Sequence, residues 1–207
     1  MRQLSLLSIF LAFFNTCIIN AQDLPIASPQ TQKNGVAQDS PKFAFRQTTW
    51  GMSKDEVKNS EKLKLISGGP NRLLYRGIVY SMVTLVVYKF SKGKLSSGTY
   101  IFEEEHSNKN DYIDYYAKVK SSLVQMYDTP KEDRTDWKKD TFRNSPQNWG
   151  TAISVGFLEY LTYWETNKTK ILLSLSGENY EIKFFLSYRS IEYGSSEKDE
   201  EEDNTQN

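Results

Sequence analysis

The stretch that decides the fold is Trp50-Gly51-Met52-Ser53-Lys54-Asp55-Glu56-Val57. Ser53 and Glu56 stand three residues apart, which is the spacing of a capping box, where each side chain accepts a hydrogen bond from the backbone amide of the other residue. Met52 and Val57 occupy the two positions of a hydrophobic staple, which sets the direction in which the chain enters a helix. The stretch therefore predicts where the first helix begins and where the folded domain starts.

The residues before this stretch have the pattern of an export signal followed by a linker. Residues 1–21 are predicted to be a signal peptide, with the positive charge of Arg2, a short apolar segment over residues 4–14, and cleavage near Ala21. The apolar segment is too short for a good membrane span, so no transmembrane span is expected in the mature chain. Residues 22–42 are rich in proline and polar residues and are predicted to form a disordered linker.

The single cysteine, Cys17, lies inside the predicted signal peptide. After cleavage the chain would have no disulfide, no thiol nucleophile and no thiolate metal site. This is typical of a bacterial envelope protein that has a sizeable apolar core. The expected location is the periplasm or the extracellular space. The alternative is a lipid-anchored form, in which Cys17 is the lipidation site at a bacterial signal-peptidase cut.

After the first helix, expected over residues 54–63, the sequence changes to the alternating pattern of β-strands. A second helix is predicted to end near Tyr127, because apolar residues recur at three- and four-residue steps between Tyr112 and Met126. Residues 43–46 are predicted to form an edge strand or an extended lead-in to the first helix. The other predicted strands cover residues 72–80, 82–90, 95–104, 135–142, 152–157, 160–165, 170–176 and 180–188.

The two parts of the chain, residues 43–105 and 106–194, share one pattern: a helix, a turn closed by proline, and an antiparallel meander. The predicted fold class is α+β, with two helix-plus-antiparallel-meander halves whose helices pack on one face of antiparallel sheet. The halves would join their strands into one sheet or lay two sheets side by side. Residues 195–207 carry six acids and one lysine and are predicted to be an acidic disordered tail.

The Gly51–Val57 helix entry, the helix closed by a proline turn and the meander that follows resemble the small helix-plus-β-meander modules of the bacterial envelope. These include the SmpA/OmlA-type outer-membrane assembly lipoproteins and the tandem β-lactamase inhibitory proteins. Through Trp50-Gly51-Met52-Ser53, His106–Tyr112 and Trp164-Glu165-Thr166, the chain also resembles uncharacterised exported bacterial proteins. The resemblance covers roughly residues 43–193 and implies a non-catalytic, protein-binding unit.

The sequence carries no recognised catalytic or phosphate-binding motif. His106 is the only histidine and follows Glu103-Glu104-Glu105, which suggests either a metal or acid–base site or a set of solvated charges. A transition-metal site needs three or four converging ligands, which this local cluster does not specify. We therefore predict no enzymatic activity, no metal site and no cofactor. The mildly basic domain has no dense cluster of lysine and arginine, so no nucleic-acid partner is expected.

Aromatic residues are the most distinctive feature of the composition, with 13 Tyr, 11 Phe and 4 Trp, and they build either a core or a binding platform. Tyr163 and Trp164 are neighbours on a predicted strand and point to opposite faces, so one of them is a candidate surface residue unless both faces are covered. Together with Tyr115 on the second helix, they form the candidate binding surface.

The leading hypothesis is an exported non-enzymatic module that binds another envelope or secreted protein through its sheet face. The alternative is a carbohydrate-binding or glycan-acting protein that uses surface aromatic side chains. The sequence does not determine the oligomeric state.

Overall fold

The structure, a computed structural model, describes residues 43–194. The predicted signal peptide with Cys17, the predicted linker and the predicted acidic tail lie outside these residues. The described part of the chain forms three α-helices and eight β-strands. In chain order they are α1 (Lys54–Ser60), β1 (Lys64–Gly68), β2 (Arg72–Val79), β3 (Met82–Ser91), β4 (Lys94–Phe102), α2 (Asp111–Tyr127), β5 (Glu132–Trp137), α3 (Trp149–Ser154), β6 (Leu158–Glu165), β7 (Thr169–Glu178) and β8 (Glu181–Ser190).

The eight strands join one sheet in the order β1-β2-β3-β4-β8-β7-β6-β5, and every neighbouring pair is antiparallel. Strands β1–β4 form one meander and β5–β8 form another. The last strands of the two meanders meet at the centre, where residues 97–101 of β4 pair with residues 185–189 of β8. The prediction of an antiparallel sheet is therefore confirmed.

The predicted fold class, α+β with two helix-plus-meander halves, is wrong. The helices have 7, 17 and 6 residues and stand against a single sheet of eight strands, so the described fold is β-rich. One reason is that α1 ends at Ser60, and residues 64–68, expected to lie between the first helix and the first long strand, pair with β2 as an edge strand. A short apolar run of this kind is equally compatible with either structure until a partner strand is available.

Two short segments that were predicted as strands adopt other structures. Residues 43–46 form a turn with one bridge between Phe45 and Thr48. Half of the predicted strand over residues 152–157 belongs to α3, in which Ala152 and Ile153 are fully buried. Apolar runs of five or six residues do not distinguish a buried strand from a buried helical turn by periodicity alone.

The capping box predicted from the opening stretch is confirmed. The Ser53 amide donates to Glu56 Oε2 at 2.7 Å, and the Glu56 amide donates to Ser53 Oγ at 3.4 Å. Val57 is fully buried one turn into the helix. The helix therefore begins where the sequence indicated, at Lys54, although it ends three residues before the predicted Leu63.

The core lies on one face of the sheet, which we call the covered face. Alternate side chains of a strand point to opposite faces, so cross-strand partners form rows across the sheet. Helix α2 packs on this face: the hydroxyl groups of Tyr116 and Thr162 are 2.6 Å apart, and Val119 and Leu123 are fully buried. One row of the covered face consists of Leu73, Tyr88, Gly98, Tyr188, Ile171 and Trp164.

Candidate functional site

The opposite face of the sheet carries apolar side chains that remain half-buried or exposed. Two complete rows of cross-strand partners cross it. The first row is Leu74, Val87, Thr99, Ser187, Leu172, Tyr163 and Glu132, and the second is Arg76, Leu85, Ile101, Phe185, Ser174, Leu161 and Arg134. We call this surface the open face. Its apolar band has the members Leu74, Leu85, Val87, Ile101, Leu161, Tyr163, Leu172 and Phe185.

The apolar band extends from β2 to β6, so it crosses five strand spacings, or about 24 Å. Its side chains contrast with core residues of the covered face such as Tyr88, Leu173 and Trp164, which are at most 2% exposed. Ile101, at the centre of the band, is 40% exposed. A depression of the surface lies over the junction of β4 and β8, and its lining residues include Val87, Lys89, Ile101, Lys183 and Phe185.

Charged residues border the apolar band on both sides. Arg76 forms an ion pair with Glu103 at 2.6 Å, and Arg134 forms one with Glu132 at 3.1 Å, at the two ends of the second row. A third row of cross-strand partners lies next to the first. It contains Arg72, Lys89, Ser97, Arg189, Lys170 and Glu165, and we call it the basic row.

The structure separates the three residues of the predicted binding surface. Trp164 lies on the covered face with 2% exposure, and its Nε1 donates to the Asp128 carbonyl at the end of α2, at 2.9 Å. Trp164 is therefore corrected from a surface candidate to a core residue, because its strand position turns it towards the helices. Tyr163 lies on the open face and is half-buried, whereas Tyr115 is half-buried on α2.

Tyr163 is held in place by its neighbours on the open face. Its hydroxyl donates to Glu165, which also accepts a hydrogen bond from Lys131 at 2.9 Å. Partial burial, this hydrogen bond and the carboxylate charge raise the pKa of Tyr163 to about 12. The hydrogen bonds from Tyr163 and Lys131 lower the pKa of Glu165. The phenol ring thus stays neutral at physiological pH and presents an apolar surface that has one fixed polar end.

Tyr115 belongs to an aromatic cluster around the single histidine. The rings of His106 and Tyr115 stack at a centroid distance of 4.8 Å, and Tyr112 packs edge-on to His106 at 4.7 Å. His106 Nε2 is buried and makes no hydrogen bond with the rest of residues 43–194. The histidine is therefore packed between two tyrosines, whereas the neighbouring Glu105 is exposed to solvent. Within residues 43–194, no three His, Cys, Asp or Glu side chains are grouped as metal ligands.

Sequence reasoning missed a buried ion pair on the covered face. Glu61, whose side chain is 2% exposed, accepts hydrogen bonds from Arg46 Nε at 2.7 Å and from the Tyr88 hydroxyl at 2.6 Å. Burial alone would raise the pKa of Glu61, but the hydrogen bonds from Arg46 and Tyr88 outweigh burial and hold that pKa below its usual value. The arrangement ties the end of α1 to the preceding turn and to β3.

One signal in the sequence could have indicated that pair. Glu61 follows the last turn of α1, where a negative charge meets the negative end of the helix dipole. An acid in that position is unfavourable unless a cation lies near it. The identity of the cation, Arg46, depends on how the turn over residues 43–48 folds back, which no local pattern indicates.

No protein-family model, curated protein or solved structure matches this chain. None of the helices α1, α2 and α3 is long and apolar enough to cross a membrane.

Proposed function

We propose that the chain is an exported, non-enzymatic module that binds another envelope or secreted protein through the open face of its sheet. The observation that carries the proposal is the apolar band, which crosses six strands on the face opposite the described helices. Large contiguous apolar patches on a protein surface are typical of interaction sites. Isolated exposed apolar residues, in contrast, are common on any protein and would need no explanation.

The composition of the band also supports a protein partner. Tyr163 and Phe185 supply large rigid side chains, and aliphatic residues surround them. Charged ion pairs such as Arg76–Glu103 and Lys131–Glu165 lie at the margin. An apolar centre with a polar rim is the usual anatomy of a protein–protein interface. The alternative of glycan binding gains no support from Trp164, because this side chain is buried and cannot stack on a sugar.

The test uses two positions of matched exposure. Ile101 on the open face is 40% exposed, and Val124 on α2 is 38% exposed. A photo-crosslinking amino acid replaces each residue in turn in the full chain, within cells that export it. Irradiation is expected to give a discrete protein adduct from position 101 and none from position 124. Adducts from position 124 alone, or from neither position, would contradict the proposal.

A second measurement uses the partner that mass spectrometry identifies in the adduct. Ile101→Lys places a charge in the apolar band and is expected to weaken binding of the purified partner at least about tenfold, or about 1.4 kcal/mol. Val124→Lys makes the same chemical change on α2 and should leave the Kd unchanged. Equal weakening by the two substitutions would show that charge alone, and not the open face, governs binding.

Export itself has a separate test. If the signal peptide is cleaved as predicted, the exported form begins at Gln22, directly after Ala21. Intact-mass measurement of the exported protein checks this. A mass that retains residues 1–21, or one that shows a lipid on Cys17, would replace the expected location with the membrane-attached alternative.

A further inference from the structure

The basic row is a continuous line of positive charge along one margin of the apolar band. Arg72, Lys89, Arg189 and Lys170 belong to the neighbouring strands β2, β3, β8 and β7, and Ser97 of β4 lies between Lys89 and Arg189. Because strands are about 4.8 Å apart, the line from the first arginine to the last lysine is about 19 Å long. The row ends at Glu165, which is paired with Lys131.

The described chain ends beside this row. After β8, the Gly194 amide donates to the Ser190 carbonyl at 3.1 Å. A Cβ atom built on Gly194 would lie 3.0 Å from Cγ and 3.3 Å from Cδ of Arg189, so the backbone of Gly194 contacts a side chain of the basic row. The last described residue therefore lies next to Arg189 of the basic row.

Those residues are strongly acidic. Residues 195–207 begin with two serines and continue with Glu197, Asp199, Glu200, Glu201, Glu202 and Asp203, interrupted by Lys198 alone. Seven extended residues span at most about 24 Å, which is enough to follow the whole row. The charge, the starting point and the reach of this segment all match the basic row.

We propose that residues 195–207 bind the basic row of their own chain and thereby cover one margin of the open face. An acidic segment of another protein could meet the same lysines, but the attached segment has the advantage of proximity. A short flexible connection gives an effective concentration in the millimolar range without any additional contact. This contact between the acidic segment and the basic row goes beyond the proposed function and does not depend on it.

Ionic strength should control the contact. Exposed charges interact over a Debye length of about 30 Å at 0.01 M salt and about 3 Å at 1 M salt. The acidic segment should therefore occupy the basic row at low salt and leave it at high salt. An apolar contact would be unaffected or strengthened under the same change.

The experiment places a nitroxide at Asn204→Cys in the full chain, with Cys17→Ser so that the label has one target. Paramagnetic broadening of backbone amides is measured at 0.01 M and 1 M NaCl. At low salt the amides of Ser97, Lys170 and Arg189 are expected to broaden, while the amide of Val124 on α2 stays sharp. At 1 M NaCl the broadening should fall to the level of Val124.

Paired charge reversals provide the matched control. Lys89→Glu with Lys170→Glu should abolish the selective broadening, whereas Lys62→Glu with Lys118→Glu, the same change in net charge near the helices, should preserve it. Broadening that is absent at low salt, spread evenly over the domain, or insensitive to the first pair would overturn the proposal. Equal broadening in a mixture of labelled and isotope-enriched chains would assign the contact to a second copy, which also overturns it.

Discussion

Tyr163 and Trp164 are consecutive residues of β6 that lie on opposite faces of the sheet, one on the open face and the other 2% exposed beneath the end of α2. The Trp164 indole donates to the Asp128 carbonyl, whereas the Tyr163 hydroxyl donates to Glu165. Because of the strand pleat, Trp164 belongs to the core and Tyr163 belongs to the surface.

This division predicts different effects for two neighbouring alanine substitutions. Trp164→Ala should lower the free energy of unfolding by about 3–5 kcal/mol, because it leaves a large cavity in the core. Tyr163→Ala should cost less than half as much and should instead weaken binding of the partner captured at the open face. Urea denaturation of both variants measures the first effect. Equal losses of stability would show that both faces of β6 are covered.

The contact between Trp50 and Thr169 predicts an energetic coupling across the sheet. Trp50 Nε1 donates to Thr169 Oγ1 at 2.8 Å, which joins the segment before α1 to β7. Trp50→Phe and Thr169→Val should each remove this hydrogen bond at a cost of about 0.5–1.5 kcal/mol. Because the two substitutions remove the same interaction, the double variant should lose less stability than the sum of the single variants. Strict additivity in a double-mutant cycle would exclude the coupling.

The buried carboxylate of Glu61 predicts how stability responds to acid. Its pKa in the folded protein lies below the usual value of 4.5, since the hydrogen bonds from Arg46 and Tyr88 outweigh burial. Its stabilising contribution is therefore complete above the unfolded-state pKa and is lost as the pH falls through the lower folded-state pKa. The wild type should lose stability below about pH 4.5 more steeply than Glu61→Gln.

Denaturation curves of the two proteins between pH 7 and pH 3 provide the measurement. At pH 7, Glu61→Gln should cost roughly 3 kcal/mol, because Arg46 loses its charged partner. The difference in free energy of unfolding between wild type and Glu61→Gln should become smaller as the pH falls. Tyr88→Phe removes one of the hydrogen bonds to Glu61 and should reduce the pH dependence to a smaller extent. Parallel stability curves for wild type and Glu61→Gln would contradict the assignment.

The close approach of Phe45 to Gly98 predicts a substitution that is rescued by a second one. A Cβ atom on Gly98 would lie 2.1 Å from Cδ1 of Phe45, whose ring is 2% exposed. Gly98→Ala should therefore cost about 1–3 kcal/mol through overpacking. In a Phe45→Ala background the same change should be nearly neutral, because the ring that it meets is gone. A similar cost in both backgrounds would place the strain in the backbone of β4.

Local sequence patterns correctly predicted the helices and strands that depend on interactions between residues close together in the chain. The capping box at Ser53 and Glu56 located the start of α1, and the apolar stripe from Tyr112 located α2, which ends at Tyr127 as predicted. The long alternating segments became β2, β3, β4, β6, β7 and β8. Hydrogen bonds between near neighbours and regular spacing of apolar residues encode these elements directly.

Short segments were assigned wrongly because their structure depends on distant partners. Residues 64–68 become β1 only because β2 offers an edge, and residues 149–154 become α3 although an apolar run over 152–157 resembles a strand. The pairing of β4 with β8 joins the two meanders into one sheet; the sequence left this arrangement open as one of two alternatives, because the paired residues are distant in the chain.

For the candidate site, the sequence predicted only part of the arrangement. The alternation of Tyr163 and Trp164 was readable from the sequence, because neighbouring residues of any strand point to opposite faces. The sequence did not indicate which of the two faces the helices cover. That choice depends on cross-strand register and on the packing of α2 over distant strands. The sequence by itself determined the start of α1 at Lys54, directly after its N-cap Ser53. Only the tertiary structure, by aligning residues from six strands, produced the open face and its basic row.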